Sequence, residues 1–307
     1  MTTRSPQLSL MLRNFSADDP GSWEPLLGWA EAADRAGVDR IVVVDHVAFG
    51  EALEDYARPE LGGQSGGRQP TGPDGHFLEP ITLLSVIAGR TRNVRLGTAI
   101  LIAALRRPVV LAKSLATLDV LSGGRVDLGV GVGWQRAEYD AAGLPFADRG
   151  TLLDESLDLC RRLWSEPVVD ISGAGPIHQM PKPAQANGIP IWVSGRSSNR
   201  HVVERVARFG SGWIPWGDDA SDPGPGVARM RSAMDAAGRA QEPLQVVGVL
   251  PSDLTDVPAM TAAGITDFRY HGRIPAETTE AEMFLADLVR RFRAAADAGG
   301  SNDDPSM

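Results

Sequence analysis

The sequence predicts an α/β fold, a (β/α)₈ barrel of the TIM type with insertions at the C-terminal face of the barrel. Short runs of apolar and β-branched residues alternate with helical patterns, and eight such pairs fit into the 307 residues. The strand candidates are almost continuously apolar, which is typical of a parallel sheet covered by helices. An open, doubly wound sheet is the alternative architecture for the same alternation.

Each predicted strand is a short apolar run, as in the segment DRIVVV at residues 39–44. Apolar strands of this kind are expected where both faces of a sheet are buried. In chain order, the predicted strands are residues 7–12, 39–44, 94–98, 125–130, 189–193, 212–215, 245–250 and 265–269.

Each predicted helix has apolar residues three or four positions apart on one face. Gly37 is expected to end the first helix, and Gly123 and Gly124 the third, because glycine readily adopts the left-handed conformation found after helix C-termini. The predicted helices are residues 22–36, 78–91, 108–121, 151–164, 199–209, 226–237, 254–263 and 279–296.

Residues 1–298 are predicted to form one barrel domain in which two segments interrupt the alternation. Residues 59–80 contain six glycines and four prolines and follow the second strand, at the face where barrel active sites lie. They are interpreted as a lid-like loop or as a disordered surface loop. Residues 168–188 are predicted to form a short hairpin, and residues 299–307 are predicted to be a disordered tail.

Composition and charge make several classes of binding partner and metal site improbable for this chain. The chain has 30 basic and 39 acidic residues, a net charge of −9, which disfavours binding to nucleic acid or to an anionic membrane. The single cysteine, Cys160, excludes a multi-cysteine zinc site, and no HExxH motif is present, so no metal is expected. The sequence has neither a long apolar run nor an N-terminal apolar signal region, so a cytoplasmic location is expected.

A glycine-rich segment, GVGVGW, follows the fourth predicted strand at residues 129–134. It differs from the dinucleotide-binding fingerprint because Trp134 stands where the third glycine would be, which argues against an NAD-dependent dehydrogenase. The glycines permit a tight turn and let a flat or anionic ligand approach the backbone. A purely structural turn between strand and helix is the alternative interpretation.

A second loop, between the fifth strand and its helix, contains Ser194, Gly195, Arg196 and Ser197. Hydroxyl groups, an arginine and free backbone N–H groups at a helix N-terminus suit a phosphate group. The alternative is a helix cap beside a solvated arginine.

The second strand ends at Asp45 and His46. The carboxyl end of a barrel strand is where active-site residues are placed, and histidine titrates near neutral pH. We therefore expect His46 to reach the active site, with a structural histidine as the alternative.

With these segments identified, the chain resembles the luciferase-like monooxygenase superfamily of flavin- and deazaflavin-dependent enzymes. The resemblance covers roughly residues 7–270, and its motifs are specific only in combination. The segments that carry it are GVDRIVVVDH (37–46), FLEPITLLSVIAGRTRNVRLGTAIL (77–101), RRPVVLAKSLATLDVLSGGRVDLGVGVGW (106–134), PKPAQ (181–185) and IPIWVSGRS with SGWIPWG (189–217).

The resemblance implies a TIM-type barrel that holds a flavin-type ring at its C-terminal mouth. Asp45 and His46 match positions that border the ring. The third strand matches one that carries a non-prolyl cis peptide bond behind the ring, and the LGT motif places that bond at Ala99–Ile100. By the resemblance, the residues expected to contact the cofactor are Thr98, Ala99, Ile100, Gly131, Val132, Gly133, Trp134, Ser194, Gly195, Arg196 and Ser197.

Coenzyme F420 is the expected cofactor, and FMN is the alternative. The Asp45–His46 pair is similar to the F420-using branch, in which the cofactor carries a hydride to or from a small organic substrate. An FMN enzyme would instead use oxygen and a partner flavin reductase. Some F420 enzymes have a glutamate just after the glycine-rich segment, where this chain has Trp134, which leaves the proton donor open.

His46 would act as acid or base, or orient the ring. Many relatives are dimers, so a homodimer is expected. A non-catalytic protein that only stores the cofactor is the competing reading.

Overall fold

A computed structural model describes residues 5–298. Within this range, eight parallel strands form a closed barrel whose spatial order follows the chain. The ring closes because the first strand pairs with the last, with Leu10 opposite Tyr270. The predicted barrel is therefore confirmed, and the alternative of an open sheet is wrong. The barrel strands, β1 to β8, are Gln7–Met11, Arg40–Val43, Arg95–Thr98, Val126–Val130, Ile191–Gly195, Gly210–Pro215, Gln245–Val249 and Asp267–Tyr270.

Helices cover the outside of the barrel. All eight predicted helices are present, together with a short one, α4, that follows β4 and was not predicted. The helix α4 has six residues, and of its two buried side chains, Glu138 and Tyr139, one is a carboxylate, so the segment has no apolar face from which a helix could be predicted. Helices α1 to α9 are Glu24–Ala36, Pro80–Arg90, Pro108–Ser122, Arg136–Ala141, Arg149–Ser165, Arg200–Phe209, Gly224–Ala236, Val257–Ala262 and Thr278–Ala298.

The predicted glycine stops lie at the helix ends. Gly37 follows α1 with a φ of 81°, and its N–H donates to the carbonyl oxygens of Ala33 and Asp34. Gly123 follows α3 with a φ of 70° in the same way. Side chains larger than glycine rarely adopt this conformation, so these positions set where each helix turns back towards the next strand.

The lower interior of the barrel, nearest the N-terminal ends of the strands, is charged. Arg40 is 1% exposed and donates to Asp127 at 2.7 Å and to Asp267. Arg95 binds the two carboxylate oxygens of Asp127 at 2.6 and 2.7 Å. Burial alone would raise the pKa of Asp127, but the charges of Arg40 and Arg95 hold it below its ordinary value.

Above this charged layer, Trp192, Ile214 and Val247 form a small apolar cluster against which Ile100 packs. We call these four residues the barrel plug. The guanidinium of Arg40 lies 4.3 Å from the ring centre of Trp192, so the plug rests directly on the charged layer. The plug thus forms the floor of the C-terminal mouth.

The two segments that interrupt the alternation each contain a short antiparallel pair. His76–Phe77, at the end of the glycine-rich loop, pairs with Phe15–Ser16. Val169–Ile171 pairs with Gly175–Ile177 inside the second segment. The indole N–H of Trp216, which follows β6, donates to the carbonyl of Gly63 at 3.1 Å and ties the first loop to the barrel.

The predicted tail, residues 299–307, lies outside the described residues. Among residues 5–298, no helix is both long and apolar enough to cross a membrane.

Candidate active site

The residues singled out in the sequence meet at one end of the barrel. Asp45 and His46 follow β2, Ile100 follows β3, Gly131 follows β4, and Ser194 lies near the end of β5. Parallel strands in a barrel all have their carboxyl ends at the same mouth, so these loops surround one concave site above the plug.

Asp45 is fully enclosed and completely paired. Its side chain has 0% exposure, and its carboxylate accepts bonds from both terminal nitrogens of Arg106, at 2.6 and 3.0 Å. A third bond comes from the backbone N–H of Ile102 at 2.8 Å. Because these three bonds occupy both oxygens and the side chain is enclosed, the carboxylate is not exposed to a ligand at the mouth. Asp45 joins the end of β2 to the segment after β3, and its place beside a bound ring stays a prediction.

His46 has a different environment from its neighbour. Its side chain is 12% exposed, and Nδ1 lies 3.3 Å from Oε2 of Glu138, whose own side chain is 1% exposed. The other oxygen of Glu138 accepts the backbone N–H of Val47 at 2.5 Å. Glu138 is on α4 and is held in place by that bond. Because a carboxylate contacts one ring nitrogen, the orientation of the imidazole is set and its other nitrogen, Nε2, is left available.

Aromatic rings surround the imidazole of His46. The ring centres of Phe49, Phe77 and Trp134 lie 4.4, 5.4 and 5.8 Å from that of His46. Phe15 stacks on Phe77 at 5.0 Å. These contacts make an apolar wall on the β2 side of the mouth, of the kind that excludes water from a bound ring.

The end of β3 forms the back of the site. The peptide bond between Ala99 and Ile100 is cis, at the position that the resemblance implied. Both residues are half-buried, and the hydroxyl of Thr98 donates to the carbonyl of Gly129 at 2.7 Å. Thr98 is thus occupied in joining β3 to β4, whereas Ala99 and Ile100 present apolar surface to the mouth.

The glycine-rich segment packs tightly against this apolar surface. A Cβ on Gly131 would lie 3.0 Å from the side chain of Ile100, and one on Gly133 would lie 3.1 Å from Ile102. Gly133 also has a φ of 69°, which favours glycine. The backbone of this turn is therefore pressed against the bulge after β3.

Val132 and Trp134 are the other two residues of the segment at the mouth, and α4 holds the first of them. The hydroxyl of Tyr139 donates to the carbonyl of Val132 at 2.6 Å, and burial raises the pKa of Tyr139 well above its ordinary value. Trp134 is 5% exposed, and its indole N–H has no acceptor among residues 5–298. A buried N–H without a partner is costly unless a ligand or water accepts from it.

The loop predicted to hold phosphate lies next to the glycine-rich segment, since Val130 pairs with Val193 across β4 and β5. Within that loop, Ser197 is already occupied. Its N–H donates to Asp219 at 2.6 Å and its hydroxyl to the other oxygen of Asp219 at 2.7 Å. An internal carboxylate thus takes the donors that were expected to face a phosphate, and contact between Ser197 and a phosphate stays a prediction.

The other residues of this loop remain open. Gly195 has a φ of 146°, and a Cβ there would lie 2.5 Å from Val202. Arg196 is half-buried, and no acceptor is found for its guanidinium in the described part of the chain. Ser194 is likewise half-buried with a hydroxyl that has no such partner. An anion at the end of β5 would meet these two side chains first.

Sequence reasoning did not identify Glu138 or Asp219, nor the bond between Arg106 and Asp45. Each acts by contacting a residue far away in the chain, as in the 92-residue separation of His46 and Glu138. The one available signal was that Glu138 follows the glycine-rich segment by a few positions. In the residues that the structure describes, no group of three or more histidine, cysteine, aspartate or glutamate side chains is arranged to hold a metal ion.

The chain is thus an eight-stranded parallel barrel whose candidate site is built from the loops after β2, β3, β4 and β5. The sequence model of the luciferase-like monooxygenase family matches residues 7–299. The chain therefore belongs to the luciferase-like monooxygenase family.

The names of individual relatives indicate different cofactors. The chain is 32% identical over 204 residues to an F420-dependent glucose-6-phosphate dehydrogenase of Segniliparus rotundus, covering 62% of this chain and 52% of that protein. It is 32% identical over 130 residues to the oxygenase component of a flavin-dependent trigonelline monooxygenase of Acinetobacter baylyi, covering 40% and 35%. Relatives in Mycobacterium tuberculosis, 36% identical over 176 residues, are matched over 61% of their own length and 54% of this chain.

The barrel also resembles solved structures. It superposes on a long-chain alkane monooxygenase with a TM-score of 0.71 at 13% identity, covering 98% of this chain and 97% of that one. At this identity the likeness concerns the fold alone.

Proposed function

We propose that the protein is an oxidoreductase that binds coenzyme F420 at the mouth of the barrel and transfers a hydride to or from a small organic substrate. The observation that carries the proposal is the pairing of His46 with Glu138 above an apolar floor. The pair places an oriented, partly accessible imidazole beside a space walled by aromatic rings. A barrel that only stored a cofactor would have no use for a proton-transfer group fixed in this way.

The residues at the mouth suit a flavin-type group in three respects. Ala99 and Ile100 offer half-buried apolar surface against which a flat ring can pack. Trp134 has a buried N–H that lacks an acceptor among residues 5–298. The guanidinium of Arg196, beside the end of β5, has no partner in that same range, which supports a role for it in holding the phosphate, together with Ser194 and the backbone at Gly131.

When bound, F420 would serve as the hydride carrier, whereas FMN would serve for a reaction with molecular oxygen. The chain supplies the other parts of the reaction. Glu138 accepts from Nδ1 of His46, so that Nε2 exchanges a proton with the substrate oxygen or nitrogen. The aromatic wall excludes water, and Asp45 holds the segment after β3 in place through Arg106 and Ile102.

F420 is favoured over FMN by the Asp45–His46 pair and by the longer match to the F420-dependent relative. The alternative is an FMN-dependent monooxygenase that receives electrons from a partner reductase. The similarity to the flavin-dependent oxygenase component supports this alternative.

Titration with each cofactor separates the two functions. Purified protein is titrated with F420 and, separately, with FMN, and tryptophan fluorescence is followed, since Trp134 lies at the mouth. Quenching by F420 at much lower concentration than FMN supports hydride transfer. The reverse order favours the monooxygenase, and quenching by neither contradicts both.

We also propose that the protein is a homodimer formed through the outer face of α2 and α3. This face exposes apolar side chains at Val86, Val110 and Leu121, which are 46%, 62% and 74% exposed. An aspartate at Val110 should convert the dimer to a monomer in light scattering after size exclusion. Met283→Asp, at an apolar residue of α9 that is 70% exposed, is the matched control and should leave the dimer intact. A monomeric wild type would contradict the proposal.

A further inference from the structure

Arg269 on β8 is a buried cation without an adequate partner. The residue is 4% exposed, and its Nε and Nη2 atoms make no hydrogen bond within residues 5–298. Its single ion pair, from Nη2 to Oδ1 of Asp267, is 3.9 Å long. A buried guanidinium normally has hydrogen-bonded acceptors on several of its five N–H groups.

Most of the nearby carboxylate oxygens are already in use. Oδ1 of Asp267 accepts no hydrogen bond within residues 5–298, but it lies 3.9 Å from Nη2 of Arg269, too far for one. Asp127 is shared by Arg40 and Arg95, and the second oxygen of Asp267 is bound by Arg40 and by the hydroxyl of Ser9. The barrel interior thus has three guanidinium groups for two carboxylates. The cation left without a short pair is the one nearest the mouth.

The register of the sheet shows where Arg269 lies. Val247 of the barrel plug is opposite Asp267, and Arg269 is two residues further along β8 on the same face. Arg269 therefore lies further towards the mouth than Val247 and Asp267. Its backbone is opposite Ser9 of β1, so it belongs to the β1–β8 sector.

A second arginine and an imidazole lie in the same sector. His271 follows β8, and Arg13 follows β1. Burial by the surrounding protein atoms, together with the charges of Arg269 and Arg13, lowers the pKa of His271 to about 4, so its imidazole is neutral near pH 7 and offers a hydrogen bond rather than a charge. We call Arg13, Arg269 and His271 the basic pocket.

The basic pocket is separate from the loop proposed to hold the cofactor phosphate. That loop follows β5, and β1 is opposite β5 in a ring of eight strands. An anion in the basic pocket would therefore face the cofactor phosphate across the mouth.

From this placement we infer that the basic pocket binds a carboxylate or phosphate group of the substrate, with Arg269 as its principal ligand. The inference rests on the proposed function, because it assumes that the reaction takes place at the mouth. A planar guanidinium with two free N–H directions forms a bidentate pair with either oxyanion. The substrate is thus an anionic small molecule whose reacting carbon lies towards His46, and a neutral substrate of the same size binds weakly.

The test measures anion binding by calorimetry on protein saturated with its cofactor, with inorganic phosphate and acetate as separate probes. Wild type should bind at least one of them, and Arg269→Met should weaken that binding at least tenfold while leaving cofactor affinity unchanged. A preference for phosphate indicates a phosphate ester, and a preference for acetate indicates a carboxylic acid. Equal binding by wild type and Arg269→Met, or no binding by wild type, overturns the inference.

Thermal unfolding without added anion separates a ligand-binding role from a structural one. If Arg269 is kept for a ligand, Arg269→Met removes an unpaired buried charge and should leave the Tm unchanged or raise it by about 2 °C. A lower Tm for both Arg269→Met and Arg269→Gln would show a structural role and overturn the inference.

The variant Arg196→Met distinguishes a failure of the anion site at Arg269 from a failure of the proposed function. This variant removes a cation from the opposite side of the mouth, so it should weaken cofactor binding and keep the Arg269-dependent anion site. Wild-type protein that binds phosphate through Arg269 but neither F420 nor FMN would contradict the proposed function while supporting the anion site.

Discussion

In the lower interior of the barrel, Arg40 lies between Asp127 and Asp267, and each of these groups has short hydrogen bonds. At the mouth, higher along the strands, Arg269 and the indole N–H of Trp134 are buried without acceptors among residues 5–298. Both regions bury polar groups, which costs hydration free energy. In the lower region most of these groups are paired within the fold, although Oδ1 of Asp267 is not, whereas the unpaired donors at the mouth suit a ligand.

Neighbouring residues at the end of β2 show the same contrast on a smaller scale. The carboxylate of Asp45 is saturated by Arg106 and Ile102, so it serves the fold. The imidazole of His46 is held at one nitrogen only and remains partly exposed. The predictions that follow test whether the paired groups determine stability and the partly paired groups determine activity.

The largest expected effect is on stability. Arg40→Met should lower the free energy of unfolding by about 3–5 kcal/mol, because it leaves buried Asp267 without its cation. Urea denaturation measures this loss. Arg35→Met is the control, since its ion pair with Glu282 is at the surface and its removal should cost less than about 1 kcal/mol. Equal losses in the two variants would contradict the division between interior and surface.

The next effect is on turnover. His46→Ala should reduce kcat by about 10²–10⁴-fold if Nε2 transfers a proton, with cofactor affinity and Tm close to those of wild type. Steady-state kinetics with the substrate in excess gives kcat, and tryptophan quenching gives cofactor affinity. Unchanged turnover would remove His46 from the mechanism.

A smaller effect is expected from the residue that positions the imidazole. Glu138→Gln should lower kcat by about 10–100-fold, because the amide keeps an acceptor for Val47 but loses the charge facing Nδ1. The pH profile of kcat should shift as well, whereas a purely structural role would leave its shape unchanged. A loss as large as that of His46→Ala, with no shift in the profile, would contradict a positioning role.

The smallest effect concerns the loop after β5. Asp219→Ala should tighten cofactor binding by about 3–10-fold, because it frees the donors of Ser197 and removes a negative charge beside the proposed phosphate site. Asp222→Ala, an exposed residue on the same segment, controls for the change in net charge. Weaker binding in Asp219→Ala alone would show that Asp219 is needed to shape the loop.

Most of the architecture could be predicted because it depends on local pattern. The eight apolar runs and the helices between them were predicted within a few residues, as with residues 39–44 for β2 at Arg40–Val43. Within the site, the bond between Ala99 and Ile100 was expected only from the resemblance. The roles of Asp45 and Ser197 could not be predicted, because their partners are Arg106, 61 residues away, and Asp219, 22 residues away.

The sequence by itself determined that the chain folds as a barrel and which loops meet at the mouth, because strand periodicity and parallel connection leave few other arrangements. Only the tertiary structure decided which polar side chains are paired and which are free. Pairing depends on distances between residues that are remote in the chain. Asp45 is 2.6 Å from Arg106 and is firmly paired, whereas the 3.9 Å between Arg269 and Asp267 is too long for a hydrogen bond.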